Sequence, residues 1–314
     1  MVENKKIISF VIPCYKSEKS IKSVVDEIND TVSQNKNYDY EIIAVNDNSP
    51  DNVWKVLTEI ADTNKKVKII NLAKNMNKPG AVMAGLNHVN GDYIVTMDDD
   101  GQCPMENLWE IITPLEEGHD VAMAKYTKYK QTFFKSFGTK VNKKMSEIII
   151  GKPKNLEFTN FIAIKRYICD EIVKYKNPYI YYAGLILRVT DDIINVPMQE
   201  RNRLYGSTTF NLKKMISIWL NGFTAFSIKP LRLATVLGII MAIFGFLYGA
   251  YIIVNKLINP KILQGYSSIM SAILFVGGII MIMLGIIGEY IGRIYISINN
   301  SPQYVIKETK NINN

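Results

Sequence analysis

The first part of the chain alternates short apolar runs with stretches of helical spacing. The apolar runs predict four buried strands, at Ile7–Ile12, Glu41–Val45, Val67–Leu72 and Tyr93–Met97. Helices are predicted where Ile21, Val24, Val25, Ile28 and Val32 share one face, and at Ala81–His88. Ser49 and Pro50 suit the N-cap and the first position of another helix. Strands alternating with helices predict a mostly parallel, doubly wound α/β sheet.

Two long apolar runs follow, and they contain no charged residue: Leu233–Val254 and Ile269–Ile287. Each is long enough to cross a bilayer, although two buried core helices are the competing interpretation. Residues 211–230 have amphipathic spacing typical of interfacial helices, or of a helix in a soluble core. The predicted organisation is a catalytic domain over 1–210, juxtamembrane helices over 211–230, spans over 231–256 and 268–290, an external loop over 257–267 and a cytoplasmic tail over 291–314.

Cysteine usage and the N-terminal segment predict a cytoplasmic location for the first domain, while the charge suggests its partners. The chain has 314 residues and a formal net charge of +8, which suits an anionic membrane or a phosphorylated substrate as well as a solvated lysine-rich surface. No pattern typical of nucleic-acid binding occurs. Three widely separated cysteines indicate neither a zinc site nor a disulfide framework. The N-terminal apolar stretch is too short for a signal peptide.

Polar residues follow each predicted strand, so they should converge at one edge of the sheet. The sharpest of these segments is Asp98-Asp99-Asp100, after the fourth strand. In a strand, Asp98 and Asp100 would face one site and Asp99 would point away. Three adjacent carboxylates repel one another unless a cation lies among them, and hard divalent ions bridge carboxylates to phosphates. This predicts a metal site, with a solvated acidic turn as the alternative.

Six segments together resemble a known family. Four precede residue 105: Val11-Ile-Pro-Cys-Tyr15, Val45-Asn-Asp-Asn-Ser-Pro-Asp51, Lys74-Asn-Met-Asn-Lys78 and Met97-Asp-Asp-Asp-Gly-Gln-Cys-Pro104. The others are Arg203-Leu-Tyr-Gly-Ser-Thr208 and Gly288-Glu-Tyr-Ile-Gly-Arg-Ile-Tyr295. In this order they resemble the GT-A domain and tail of family 2 glycosyltransferases. The branch is that of the polyprenyl-phosphate glycosyltransferases, which includes dolichyl-phosphate mannose synthases and bactoprenol glucosyltransferases.

The resemblance implies an inverting transferase that moves a sugar from a nucleotide-sugar, UDP-linked by resemblance, to polyprenyl (undecaprenyl) phosphate. Its product would supply cell-envelope glycan modification. The predicted location is the inner cell membrane, as a multi-pass protein with its catalytic domain in the cytoplasm. A dimer or tetramer is an expected assembly, and Mn²⁺ or Mg²⁺ an expected cofactor.

Site roles follow from this resemblance and from phosphate chemistry. Asp100 would hold the metal with Asp98 near it and Gln102 assisting. Arg203 is a candidate cation for a phosphate, and with Asp98 and Asp100 completes the predicted catalytic set. The nucleotide-sugar would contact Pro13, Tyr15, Asp47, Lys74, Asn75, Lys78, Asp98 and Asp99. The acceptor phosphate and lipid would contact Arg201, Arg203, Thr208, Lys125 and Arg293.

Several residues depart from the family pattern. Asn46 replaces an aspartate, Asn77 replaces a glycine, Phe210 lacks a tyrosine hydroxyl, and Asn160 stands where some members carry an aspartate. The loss at Asn160 puts a catalytic base there in doubt, but an acceptor phosphate is already anionic and needs none. Two other functions stay open: a glycosyltransferase that acts directly on a glycan or wall polymer, and a non-catalytic nucleotide-sugar-binding membrane scaffold.

Overall fold

A computed structural model describes residues 5–126, 147, 152–154, 156–199, 201, 229–258, 265–299 and 301–312. Within them the strands are β1 Lys6–Cys14, β2 Tyr38–Asn46, β3 Val67–Leu72, β4 Tyr93–Thr96, β5 Val121–Tyr126, β6 Ile162–Lys165, β7 Ile193–Met198 and β8 Ile306–Lys310. The helices are α1 Ile21–Ser33, α2 Val53–Thr63, α3 Asn77–Leu86, α4 Leu108–Glu116, α5 Arg166–Ile172, α6 Tyr182–Val189, α7 Lys229–Ile258 and α8 Tyr266–Ile298.

All eight strands form one sheet in the order β7-β5-β6-β4-β1-β2-β3-β8. The central strands β4, β1, β2 and β3 are parallel, as are β5 and β7. Strand β6 runs antiparallel to both β4 and β5, and β8 runs antiparallel to β3. The predicted fold class is confirmed: a mostly parallel α/β sheet of GT-A type, followed by two long apolar helices.

Apolar side chains on both faces of the sheet explain why its strands read as continuous hydrophobic runs. Successive residues point to opposite faces, so Phe10 and Ile12 pack with α1, α2 and α4, whereas Val11 packs with α3, α5 and α6. The five apolar residues that predicted α1 are all buried. The helices thus cover both faces of the sheet, and the polar loops lie at the ends of its strands.

The predicted helix start at Ser49 is wrong, because α2 begins at Val53. The Ser49 hydroxyl is used elsewhere: its Oγ accepts a hydrogen bond from the Lys16 backbone N–H (2.8 Å) and donates one to Asp51 Oδ1 (2.6 Å). A contact with the neighbouring loop has replaced the local cap. The turn from Asn46 to Asp51 therefore stays open at the end of β2 instead of winding into the helix.

Helices α7 and α8 are long and apolar enough to cross a membrane, with candidate spans Ala234–Asn255 and Phe275–Ile298. Large apolar side chains project from both without cover, including Phe244, Phe246, Met281 and Ile282. Core helices of a soluble protein would bury such residues, so the competing interpretation of two buried core helices is wrong. Of the predicted juxtamembrane helices, only residues 229 and 230 lie within the described part of the chain.

The segment after α8 returns to the sheet. Residues 306–310 pair with β3, and Tyr304, Ile306 and Ile312 pack against the apolar core on that side. This region is predicted from the sequence as part of a tail, with no strand in it. Helix α8 also continues to Ile298, beyond the predicted end of the second span at 290.

Candidate active site

The predicted convergence of polar loops at the carboxyl ends of the strands is observed. The loop after β1 is joined to the loop after β2 by hydrogen bonds from Lys16 N to Ser49 Oγ and from Glu18 N to Asp51 Oδ2 (3.0 Å). Asn52 N closes this joint by donating to Glu18 Oε2 (2.9 Å). The first two loops therefore form one hydrogen-bonded unit beside the Asp98–Asp100 turn.

Asp99 points away from the open edge, as predicted, but the strand assumed in that prediction is wrong, because β4 ends at Thr96 and the aspartates lie on the turn that follows. Its Oδ2 accepts a hydrogen bond from the Tyr15 backbone N–H (3.0 Å), and its carbonyl accepts one from Ser20 Oγ (2.7 Å). Burial raises the pKa of Asp99 to about 6, and repulsion from Asp98 and Asp100 contributes to the rise. Asp99 thus fixes the turn after β1, and direct contact with a nucleotide-sugar stays a prediction.

Asp98 lies between a cation and an amide. Its Oδ1 pairs with Lys78 Nζ, and its Oδ2 accepts a hydrogen bond from Asn160 Nδ2 (2.7 Å). In the sequence, Asn160 stands out only as a departure from the family pattern. Here an amide at that position donates to the carboxylate, whereas an aspartate would repel it. The sequence offered no sign of this contact, because residues 78, 98 and 160 meet only in the folded chain.

Asp100 and Gln102 lie on a turn that Gly101 permits, with φ of 77°. Asp100 Oδ1 accepts a hydrogen bond from Gln102 N (3.1 Å), and the Gln102 side-chain amide donates to the Arg201 carbonyl (3.3 Å). The Arg201 guanidinium turns to Glu27 (2.6 Å) and Glu106 instead of to the edge. Its contacts therefore show a structural role, and binding of the acceptor phosphate stays a prediction.

Asp47 organises the loop after β3. This residue is 3% exposed, and its Oδ1 accepts a hydrogen bond from Met76 N (2.6 Å). Asn75 Nδ2 donates to the Asp47 carbonyl (3.0 Å), while the neighbouring Lys74 is exposed. Asp47 thus positions the segment that carries the predicted nucleotide-sugar ligands Lys74, Asn75 and Lys78. Its own contact with the base or ribose stays a prediction.

Asn77 adopts φ of 59°, a left-handed conformation that glycine and asparagine tolerate best. This explains why asparagine can stand at the position where the family pattern has glycine. The backbone there turns so that α3 begins at once and Lys78 reaches Asp98.

Pro13 and Tyr15 flank the end of β1. Pro13 lies in the strand, in register with Val45 of β2, and the Tyr15 ring is 44% exposed. An exposed aromatic ring at a sheet edge offers a flat apolar surface. Both positions suit contact with a planar base, and that contact stays a prediction.

The residues fit a divalent cation that is completed by substrate. In the described part of the chain, no group of three His, Cys, Asp or Glu side chains is arranged to hold a metal alone. Mg²⁺ typically binds through one or two carboxylates together with substrate phosphates. Asp98 and Asp100 would supply such a partial set of oxygen ligands, with Lys78 and Asn160 moving aside from Asp98, and their repulsion of Asp99 shows a concentration of negative charge at this turn.

Of the predicted acceptor residues, Lys125, Arg201 and Arg293 lie within the described part of the chain. Lys125 is half-buried on β5. Arg293 forms the predicted pair with Glu289 (2.7 Å) on α8 and also lies over the Tyr179 ring, at 4.3 Å from its centroid. Arg203 and Thr208 fall among residues 202–228, outside the described residues. Contact of the acceptor with any of these residues stays a prediction.

Comparison with protein families gives two matches. Residues 9–173 match the model of glycosyl transferase family 2, and residues 229–294 match the GtrB C-terminal hairpin. The first match contains the strand ends described above. The second contains most of α7 and α8.

Similar proteins extend over nearly the whole chain. Glycosyltransferase YkcC of Bacillus subtilis strain 168 is 34% identical, over 98% of this chain and 95% of its own. The prophage bactoprenol glucosyl transferase homolog of Escherichia coli K12 is 31% identical, over 96% and 99%. The bactoprenol glucosyl transferase of Shigella phage SfII is also 31% identical, over 96% and 98%.

Among solved structures, mannosyl-3-phosphoglycerate synthase from Rubrobacter xylanophilus is similar with a TM-score of 0.52 and 15% identity, over 73% of this chain and 74% of its own. Glucosyl-3-phosphoglycerate synthase from Mycobacterium tuberculosis has a TM-score of 0.50 and 16% identity, over 70% and 81%. At these identities the likeness concerns the fold alone. The fold, the ordered strand-end motifs and the sequence matches together show that the chain belongs to glycosyl transferase family 2.

Proposed function

We propose that this chain is an inverting glycosyltransferase that moves a sugar from a UDP-linked donor to polyprenyl phosphate, at the cytoplasmic face of a cell membrane. The observation that carries the proposal is that one chain contains both a polar sheet edge and an apolar helical hairpin. The edge formed by Asp98, Asp100 and Lys78 suits a diphosphate donor, and the uncovered apolar hairpin α7–α8 suits a lipid acceptor. The bactoprenol glucosyl transferases that match the chain along its length support this acceptor.

The donor is expected on the side of the β3–α3 loop. Lys74 and Lys78 lie there, and ammonium groups attract phosphate oxygens. The open cleft on the other side of the turn is lined by Asp26, Glu27 and Asp30, together with Arg201, whose charge Glu27 and Glu106 already balance. A diphosphate would meet net negative charge in that cleft.

The reaction breaks the bond between the anomeric carbon and the donor diphosphate and forms a bond from that carbon to an acceptor phosphate oxygen. The electron pair leaves with the nucleoside diphosphate. No proton needs to move, because the acceptor phosphate is an anion at neutral pH; a base at Asn160 is therefore not required. Attack from the face opposite the leaving group inverts the anomeric centre.

The chain's own residues bind and orient the reactants. Lys78 would balance charge on the leaving diphosphate, and the contacts of Asn160 and Lys78 with Asp98 support a fixed orientation of that carboxylate. A divalent cation, held by Asp98 and Asp100 with Gln102, would supply further electrostatic stabilisation of the leaving group. Asp99 and Asp47 hold the surrounding loops through backbone N–H groups.

The test is nucleotide release by the full chain in detergent, from UDP-, GDP- and dTDP-sugars, with and without undecaprenyl phosphate and Mn²⁺ or Mg²⁺. We expect release to require both the lipid and the metal, and Asp100→Asn to lower turnover by a factor of about 100 or more. Asp170→Asn is the matched control, since Asp170 pairs with Arg166 on the surface of α5.

The outcomes separate the alternatives. Donor turnover that is unaffected by lipid but stimulated by a glycan acceptor would identify a transferase acting directly on a glycan or wall polymer. Nucleotide binding without turnover of any donor would identify a non-catalytic scaffold. Equal activity of Asp100→Asn and Asp170→Asn would contradict the role given to Asp100.

A further inference from the structure

The segment that follows helix α8 is fastened to the donor side of the sheet. Strand β8 pairs with β3 from Ile69, opposite Lys310, to Leu72, opposite Ile306. Ala73 N then donates to the Val305 carbonyl (2.8 Å), so the pairing reaches the start of the β3–α3 loop. The far end is held by Lys310 Nζ on Asp62 (2.6 Å) and by Asn311 Nδ2 on the Ala61 carbonyl (2.7 Å).

A chain of side-chain hydrogen bonds runs from β8 into the turn after β2. Asn71 Nδ2 donates to Glu308 Oε1 (2.7 Å), and Asn46 Nδ2 donates to Asn71 Oδ1 (2.8 Å). The chain ends where Ser49 N donates to Asn46 Oδ1 (3.1 Å). Asn46 and Asn71 are 4% and 7% exposed, whereas Glu308 is open to solvent.

The carboxylate of Glu308 sets the direction of this chain. An ionised carboxylate only accepts hydrogen bonds, so Asn71 must turn its NH₂ group toward Glu308 and its carbonyl oxygen toward Asn46. Asn46 must then present its own NH₂ group to Asn71. Its carbonyl oxygen is left facing the Ser49 N–H, from which it accepts a hydrogen bond.

The turn at the end of this chain belongs to the candidate donor site. Ser49 Oγ holds Lys16 N in the loop after β1, and Asp47 holds Met76 N in the loop after β3. The turn that Asn46 holds is therefore in contact with the loops after β1 and β3, and these three segments surround the predicted nucleotide position.

We propose that Glu308 is a positioning residue of the donor site, acting through Asn71 and Asn46 on the turn at Ser49. The three side chains form a matched set, and this accounts for asparagine at position 46, where the family pattern has aspartate. An aspartate there would confront the Asn71 oxygen, and turning Asn71 around would make that oxygen confront Glu308. The inference rests on the proposed function only in taking this edge as the nucleotide site.

A double-mutant cycle tests the direction of the chain. Asn46→Asp should weaken nucleotide binding about tenfold, because two acceptors then face each other at a buried position. Adding Glu308→Gln should restore binding to within about threefold of the parent, because glutamine can donate to a reversed Asn71 amide and the carboxylate at position 46 then accepts from both Asn71 and Ser49 N. Glu308→Gln alone should have little effect, because its carbonyl oxygen can still accept from Asn71.

The readout is the Kd of the full chain in detergent for UDP, GDP or dTDP with Mg²⁺, measured by calorimetry for whichever nucleotide binds. Additive effects of the two substitutions, or undiminished binding by Asn46→Asp, would overturn the proposal. If the two substitutions show the expected non-additive effect on the Kd but the chain has no lipid-dependent turnover, the proposed acceptor is wrong. The role of Glu308 is then still supported.

A second measurement separates positioning from simple docking of the strand, and it applies even if Asn46→Asp does not fold. Hydrogen exchange at the Ser49 amide should accelerate in Glu308→Ala but not in Lys310→Ala, which loses only the contact with Asp62 at the other end of β8. Equal acceleration in both variants would show that Glu308 merely helps to attach the strand, and no acceleration in Glu308→Ala would overturn its positioning role.

Discussion

Individual amides carry much of the local organisation of this site. Asn160 donates to Asp98, Asn75 donates to the Asp47 carbonyl, and Asn77 supplies the left-handed turn before Lys78. An amide can donate and accept without adding charge, so it can orient a carboxylate without neutralising or repelling it. Beside a cluster of three aspartates, a carboxylate in place of an amide would add strong electrostatic repulsion.

Asn160→Asp should lower kcat/KM by about 10- to 100-fold at pH 7.5, because it replaces a hydrogen bond to a charged group with repulsion of Asp98. Activity should partly recover as the pH falls, since two facing carboxylates can then share a proton. The pH profile of kcat/KM checks this, with Asn160→Ala as the control that removes the donor without adding charge. If Asn160→Asp keeps the activity and the pH profile of the parent, the contact between Asn160 and Asp98 is not important for catalysis.

At the residue scale, the sequence predicted an acidic cluster at the end of the fourth strand with Asp99 directed away from the site, because the cluster and the end of the strand are local features of the sequence. The pair of Lys78 with Asp98 and the contacts of Asn160 depend on packing of distant segments, which no local pattern reports. Ser49 failed as a predicted cap for the same reason: the competing hydrogen-bond partner, Lys16 N, comes from another loop.

Among the secondary-structure elements, the central strands are tied together by one buried acid. Glu41 on β2 accepts hydrogen bonds from Ser9 on β1 (2.6 Å), Lys68 on β3 (2.5 Å) and the Asn90 backbone N–H before β4 (2.5 Å). Burial alone would raise its pKa, but hydrogen bonds from Lys68, Ser9 and Asn90 hold the pKa below its usual value. The carboxylate therefore stabilises the folded sheet when it is ionised.

Glu41→Gln should lower the free energy of unfolding by roughly 2–3 kcal/mol near neutral pH, through loss of charge-assisted hydrogen bonds. In the parent chain this contribution is fully present above the pKa of the unfolded acid, near 4.5, and is lost as the pH falls through the lowered folded value. Thermal unfolding in detergent from pH 7 to pH 3 checks the prediction. The stability difference between parent and variant should shrink toward the acid end.

Asp39→Asn is the control for that measurement, since Asp39 pairs with Lys66 on the exposed surface of the same strand. Its effect on stability should stay within about 1 kcal/mol. A Glu41→Gln effect no larger than this would show that the buried network contributes little.

The elements with strong apolar patterns, β1 to β4 and α1, were predicted close to their observed bounds. Strand β8 escaped prediction because Ile306–Lys310 is mostly polar, as suits an edge strand that faces solvent. Its place in the sheet is fixed by contacts with β3 and the core. These contacts join segments that are far apart in the sequence, so no local pattern predicts them.

On the scale of the whole molecule, the end of α8 is docked against the loop before α6. Arg293 lies over the Tyr179 ring, and Asn177 Nδ2 donates to Ser297 Oγ (2.8 Å). The buried amide of Gln303 then donates to the carbonyls of Tyr175 (2.8 Å) and Asn177 (2.9 Å). These contacts join the apolar helix directly to the sheet domain.

Replacing Ile243 and Phe246 together by lysine should abolish stable membrane insertion, because each charge near the centre of a span costs about 3 kcal/mol. Both side chains are exposed and lie near the middle of the candidate span Ala234–Asn255. Recovery in the membrane fraction after alkaline washing is the measurement, and replacement of both by leucine is the control. Release of the parent chain by washing without detergent would contradict a spanning hairpin.

The two apolar helices were predictable because soluble cores rarely contain a charge-free apolar run of membrane-spanning length. Their docking on residues 175–179 was not, since it depends on single polar contacts between segments more than a hundred residues apart. Helix α8 continues past the apolar run to Ile298, and on that last part Glu289 and Arg293 form an ion pair.

The position of β8 has a consequence for how the protein is made. Synthesis proceeds from the N-terminus, so β1 to β7 leave the ribosome before the two apolar helices, and β8 leaves after them. Until then the outer edge of β3 has no partner from β8, and the Asn71 amide has no Glu308 to orient it. The outer edge of the sheet is therefore completed only after both apolar helices have been synthesised, so the last step in folding of the sheet domain follows the appearance of the hairpin.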